Sequence, residues 1–177
     1  GTNNCNNVAR NNLLLYFANS WGDIQMDTVF TNADDDTFGV AFRATSGSSY
    51  YLFIASRSII PNANNCDTQL SQAESRLLAI YPVQEWWGGT TITATELASS
   101  NVSYQQGQET TIRISAIGTQ LKGWIDTNGD GEFADSEKAF DLENDLHSTG
   151  SVGLYAYQNG GSESVCQNGA SCYFDSV

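Results

Sequence analysis

Residues 23–30 read Asp-Ile-Gln-Met-Asp-Thr-Val-Phe, an alternation of apolar and polar positions with the period of two that a half-buried β-strand requires. Two denser apolar runs follow at 38–43 and 50–55. They are joined by Thr45-Ser-Gly-Ser-Ser49, so the pair predicts a hairpin closed by a Gly/Ser turn. Further runs of strand character cover 77–81, 90–95, 110–117, 120–125, 151–157 and 172–177. Helical period is weak and confined to 69–78 and the neighbourhood of 136–140. Many short strands with almost no helix predict an all-β, two-sheet antiparallel sandwich. No repeat, linker or low-complexity stretch interrupts the pattern, so residues 1–177 are expected to form a single domain.

Charge changes the picture at two places. The chain carries −13 net with only 7 Lys+Arg, which argues against nucleic acid or an anionic membrane surface as partner. No apolar run approaches the length of a membrane span. The carboxylates are unevenly spread: Asp34, Asp35 and Asp36 form one knot, and eight more fall in 126–145. Such knots repel themselves unless a cation sits among them, so their concentration points to metal.

The sharper knot is residues 126–137, Asp-Thr-Asn-Gly-Asp-Gly-Glu-Phe-Ala-Asp-Ser-Glu, which fits D-x-[DN]-x-[DN]-G-x5-E at every specified position. Calcium takes six to eight hard oxygens. Asp126, Asn128 and Asp130 offer side-chain oxygens from alternate positions, Glu132 its backbone carbonyl, and Glu137 two oxygens to close the shell. The competing reading is an Asp/Gly surface turn without metal. Both flanks read as strand, so this is expected to be an inserted EF-hand-type loop bracing a β-fold and not a helix-loop-helix sensor. At 34–36, alternation in an extended segment sends Asp34 and Asp36 to one side, where they form a second candidate pair for a calcium ion.

Cysteine usage bears on compartment. Cys5, Cys66, Cys166 and Cys172 lack C-x-x-C spacing and His147 is the only histidine, which argues against zinc. An even count in an Asn/Ser/Thr/Gly-rich chain predicts two disulfides and a secreted, extracellular protein. Of three pairings, Cys166–Cys172 with Cys5–Cys66 is favoured, because Cys166 and Cys172 flank a turn-rich stretch. The absence of a signal peptide and an end in strand-like sequence are expected of a domain cut from a longer chain.

Residues 32–43, Asn-Ala-Asp-Asp-Asp-Thr-Phe-Gly-Val-Ala-Phe-Arg, followed by Ser48-Ser-Tyr-Tyr-Leu-Phe53, resemble a hairpin of the laminin-G-like (concanavalin A-like) jelly-roll superfamily. They are especially similar to the C-terminal lectin-like domain of thrombospondins. Gly150-Ser-Val-Gly-Leu-Tyr-Ala-Tyr157 and Tyr173-Phe-Asp-Ser-Val177 resemble that group's closing strands. The resemblance implies a two-sheet jelly roll with the cluster at 34–36 contributing to a calcium site. The chain departs from the group in its long segment 59–89 and its inserted loop, where binding specificity is expected to reside.

Some sandwiches of this architecture cleave glycans, but a hydrolase needs two carboxylates across a cleft, commonly as E-x-D-x-E on one strand. No such strand occurs here, and His147 lies in a polar loop where it is expected at the surface. Binding is therefore favoured over catalysis. Glycan recognition uses aromatic faces and a few fixed polar groups. Trp86 and Trp87 stand beside a glycine turn, where alternation predicts one in the core and one exposed. Trp21 and Trp124 are expected in the core. Arg43, Arg57 and Arg76 stand out among few cations, each able to pair with an acidic sugar or to form a local salt bridge, and Arg57 and Tyr157 complete the expected ligand set. The chain is thus expected to be a non-catalytic, calcium-binding carbohydrate-binding module of a secreted bacterial polysaccharide-active or surface protein, monomeric within it. An adhesin or matrix-type protein-interaction domain is the alternative.

Overall fold

Strands β3 (Thr37–Ser46) and β4 (Ser49–Ser56) are buried along nearly their whole length, because their apolar residues do not alternate and so need cover on both faces. They occupy the middle of a six-stranded antiparallel sheet. The computed structural model describes residues 13–31, 36–57, 59–62, 66–69 and 72–157. Asp34, Asp35, Cys5, Cys166, Cys172 and the expected strand at 172–177 lie outside them, as do the side chains of Cys66 and Tyr157.

The other strands are β1 (Leu13–Trp21), β2 (Ile24–Thr31), β5 (Ile59–Asn62), β6 (Cys66–Gln69), β7 (Glu74–Gln84), β8 (Thr90–Ser100), β9 (Glu109–Ile117), β10 (Gln120–Ile125), β11 (Lys138–Glu143) and β12 (Gly150–Tyr157). The six-stranded sheet runs β1-β12-β3-β4-β7-β8. A four-stranded sheet runs β11-β10-β9-β2, and β5 pairs with β6 alone. The described pairings are all antiparallel. The two larger sheets pack face to face around Phe38, Val40, Phe53 and Leu77 from one and Met26, Ile112, Ile114, Leu121 and Phe140 from the other. Tyr50, Leu52, Ile54, Ile80 and Tyr155 form a second buried cluster on the opposite face of the six-stranded sheet. The expected all-β sandwich is present. No helix among the described residues is long and apolar enough to cross a membrane.

The weak helical period at 69–78 is overturned: β6 ends at Gln69 and β7 begins at Glu74. The adjacent Leu77 and Leu78 pack on opposite faces of a sheet covered on both sides, which mimics helical spacing in the sequence. At 136–140 only one 3-10 turn forms, Asp135–Glu137, and the chain then continues as β11.

One end of the sandwich is fastened by Arg43, 1% exposed and at φ +50°. Its guanidinium donates to the carbonyls of Gly22 (3.0 Å), His147 (3.2 Å) and Gly118 (2.8 Å), tying three loops together. Arg43 is therefore a structural clamp and not a group that meets an acidic ligand. Arg76 is likewise held, between Glu74 and Glu96. His147 is not at the surface as expected. It is 6% exposed, donates from Nε2 to the Ile80 carbonyl (3.0 Å) and packs edge-on against Tyr51.

Burial pushes the His147 imidazole below its ordinary range, and the bond to Ile80 opposes this only in part. The ring is neutral in the native state, whereas an unfolded histidine takes up a proton below pH of about 6.5. Stability is therefore fully present above that pH and falls as pH drops, by up to about 1.4 kcal/mol per unit. Melts between pH 7.5 and 5 should show this slope in the wild type and not in His147→Gln. Identical slopes would contradict it.

Candidate functional site

β7 and β8 stay paired out to Gln84 and Thr90, but β4 accompanies β7 only as far as Ile80. Residues 81–84 and 90–93 therefore project beyond the sheet as a two-stranded arm. Its root is fixed by His147 on the Ile80 carbonyl and by Tyr51 Oη on Asn144 (2.5 Å). The arm is stiffened by Gln84 to Thr90 (2.7 Å) and Tyr81 to Thr95 (2.9 Å). Its turn closes through Glu85 N–H to Gly89 O (2.8 Å) and Gly88 N–H to Glu85 O (2.9 Å), with Gly88 at φ +85°.

Trp86 and Trp87 sit on this turn, 92% and 62% exposed, with ring centroids 5.6 Å apart and edge to face. The expectation that one of them enters the core fails, because the arm has left the sheet before either is reached. Glu85 is the sole charged residue of 81–93. Two indoles held in water on a short, rigid turn make an adhesive tip with little charge.

The other expected ligand residues lie elsewhere. Arg57 follows β4, and Ser56 pairs with Glu74 at the far end of β7. Its exposed guanidinium donates to the Tyr104 carbonyl (2.9 Å) and lies 6.0 Å from that ring. Tyr157 pairs with Thr37 at the same end. Ten residues of β7 separate this end from the arm turn, roughly 33 Å of strand. The expected set of Trp86, Trp87, Arg57 and Tyr157 therefore does not form one site.

The acidic loop belongs to the Arg57 end. Gln105 reaches the Thr127 carbonyl (3.3 Å), and the neighbouring Tyr104 donates to the Asp36 carbonyl (2.6 Å). Asp126 and Glu137 are buried, each 3% exposed. Asp126 accepts from Gly129 N–H (2.7 Å) and Gly131 N–H (3.0 Å), both glycines having positive φ. Glu137 accepts from Thr127 N–H and hydroxyl (2.8 and 2.9 Å) and from Ala134 N–H (3.1 Å). Asn128 and Asp130 are exposed; each side chain accepts from the backbone two residues on, Asp130 N–H and Glu132 N–H.

These bonds stiffen the loop, and no three carboxylate, histidine or cysteine side chains among the described residues converge as a ready cage. Among the described residues, the charges of Asp126 and Glu137 nevertheless meet only neutral donors. The described cations are engaged elsewhere: Arg113 with Asp27, Lys122 with Asp141, and Lys138 with Asp135 and Asp141. Both Asp126 oxygens and Glu137 Oε2 accept one bond each and retain lone-pair capacity, whereas Glu137 Oε1 accepts two and is filled. The donor set suits a hard divalent cation that would supply the missing charge. Asp36 is buried near this end, and Asp34 lies outside the described residues.

Two of the indoles expected in the core are placed differently. Trp21 is half-buried at the margin of the core. Trp124 faces outward, because Leu121, Gly123 and Ile125 point inward and Lys122 and Trp124 fall on the alternate face. That signal was present in the alternation of the sequence.

No family model matches the chain, and no curated protein matches it. Among solved structures it is similar to the carbohydrate binding module CBM66 from Bacillus subtilis, at 14% identity and TM-score 0.52 over 82% of this chain and 76% of that one. It is also similar to a GH43_12 retrieved from capybara gut metagenome, at 12% identity and TM-score 0.50 over 77% of this chain and 24% of that one. At such identities the likeness is one of fold, and the chain is an antiparallel β-sandwich of the shape these two proteins contain.

Proposed function

We propose that this protein is a non-catalytic carbohydrate-binding module that grips polysaccharide with Trp86 and Trp87, and that calcium in the loop 126–137 braces the opposite end. The observation that carries the reading is the pair of indoles, 92% and 62% exposed, on the turn of an arm fixed at its root. A sugar ring offers a C–H face for stacking on an indole, and the hydroxyls around it match a rim of Gln, Thr and Tyr such as this arm supplies. The fold likeness to a carbohydrate-binding module supports the same class. Within sandwiches we place the chain in the laminin-G-like group, and we take it to be secreted, with its four cysteines in two disulfides. A mass gain on alkylation only after reduction tests that compartment.

Calcium has a defined part here. Asp126, Asn128, Asp130, the Glu132 carbonyl and Glu137 would hold it, cancelling two buried charges. Since the loop lies at the end away from the Trp86–Trp87 turn, calcium acts on stability and not as a bridge to sugar on the arm. A glycan array probed with and without chelator, below the melting temperature, tests the reading. Glycan signal is expected in both conditions. Loss of all signal in both would leave an adhesin-type protein partner as the alternative.

A further inference from the structure

We infer that the outer face of the four-stranded sheet is a second carbohydrate contact surface, centred on Trp124, and that it takes an uncharged polysaccharide. The inference rests on the glycan-binding reading of the arm and adds both a site and a ligand class. Cross-strand register places Asp27, Arg113, Trp124 and Lys138 side by side on β2, β9, β10 and β11. At the spacing of adjacent strands this row spans roughly 14 Å. The alternation that buries Met26, Ile112, Ile114, Leu121 and Ile125 puts these residues on the outer face, Asp27 exposed and Arg113, Trp124 and Lys138 half-buried.

The row is held by ion pairs and ring contacts. Arg113 is bidentate on Asp27 (2.6 and 2.5 Å), and its guanidinium lies 4.0 Å from the centroid of Phe133. Lys138 Nζ stands 5.9 Å from the Trp124 ring and is shared between Asp135 (3.0 Å) and Asp141 (3.5 Å). Lys122 and Gln120 also meet Asp141, at 3.5 and 2.6 Å. An indole flanked by ordered donors and acceptors is what a polyol chain needs, a flat apolar face beside hydrogen-bonding groups that lose no side-chain entropy on contact.

Charge selects the class of chain. Three of the chain's 7 Lys+Arg stand here, matched by Asp27, Asp135 and Asp141, with Glu132 also close enough to act on Arg113. The face is therefore near neutral on a molecule carrying −13. A uronate or sulfate chain would find no uncommitted cation in this row and a repelling field around it, whereas a neutral chain has no charge to strip of water.

The test uses the four tryptophans of the chain. The Trp21→Phe/Trp86→Ala/Trp87→Ala protein keeps Trp124 as its only indole and leaves the face intact. Titrated to concentrations several hundredfold above the wild-type Kd with soluble neutral glucans, mannans, xylans and fructans, it should show a blue shift and an intensity change with a polymer that the wild type binds. Polygalacturonate should cause none, and Trp124→Ala in the wild type should weaken binding about tenfold. An unchanged spectrum with a polymer the wild type binds would overturn the second face and spare the arm. A polygalacturonate response abolished by salt would overturn the ligand class. Failure of the wild type to bind any glycan would remove the reading on which the inference rests.

Discussion

Replacing Trp86 and Trp87 together with alanine is expected to weaken polysaccharide binding at least a hundredfold and leave the melting temperature unchanged. The two halves have one cause. At 92% and 62% exposure the indoles contribute little packing to the native state, so their removal opens no cavity. Buried tryptophans at binding interfaces commonly cost about 2 kcal/mol or more on truncation, and two such losses, even incompletely additive, exceed a hundredfold. Each single variant should lose about thirtyfold. Calorimetric titration measures the binding half and a thermal melt the other. A large drop in melting temperature would place the indoles in the fold and not at the ligand.

Chelating calcium is expected to lower the melting temperature by roughly 5–10 °C. Binding to the native state alone contributes about 2.7 kcal/mol at a hundredfold excess over Kd, and a domain of this size moves 2–4 °C per kcal/mol. Asp130→Asn separates metal from mere loop structure. Its side chain is exposed, and an amide oxygen can still accept from Glu132 N–H, so in the absence of metal it should be nearly silent. In calcium it should reproduce most of the chelator effect, and with chelator the two proteins should melt together. Asp126→Ala should be destabilised in both conditions, because Asp126 also holds the N–H groups of Gly129 and Gly131. An unchanged melting temperature in excess chelator, or no metal by elemental analysis, would leave the loop as a hydrogen-bonded turn.

The fold was legible wherever pattern and burial agree. Alternation at 23–30 and 110–125 marks strands with one covered face, and the structure has β2, β9 and β10 there. Pattern misleads where both faces are covered, since Leu77 and Leu78 are then both apolar and imitate a helix. It also misleads where neither face is covered, as on the arm, whose strand sequence gives no sign that its sheet neighbour stops at Ile80. The position of Trp124 was readable from its phase with Lys122, and an expectation that indoles are core residues overrode that phase. The tertiary pairings of Arg43 and His147 were not readable, because their partners are backbone carbonyls from distant parts of the chain.

The most direct measurement of the central claim is affinity electrophoresis of wild type and Trp86→Ala/Trp87→Ala through gels containing one neutral polysaccharide each. The account predicts that at least one polymer retards the wild type strongly and the double variant little, with chelator leaving the difference intact below the melting temperature. Equal retardation of both proteins by every polymer that slows the wild type, or no retardation by any, would contradict it.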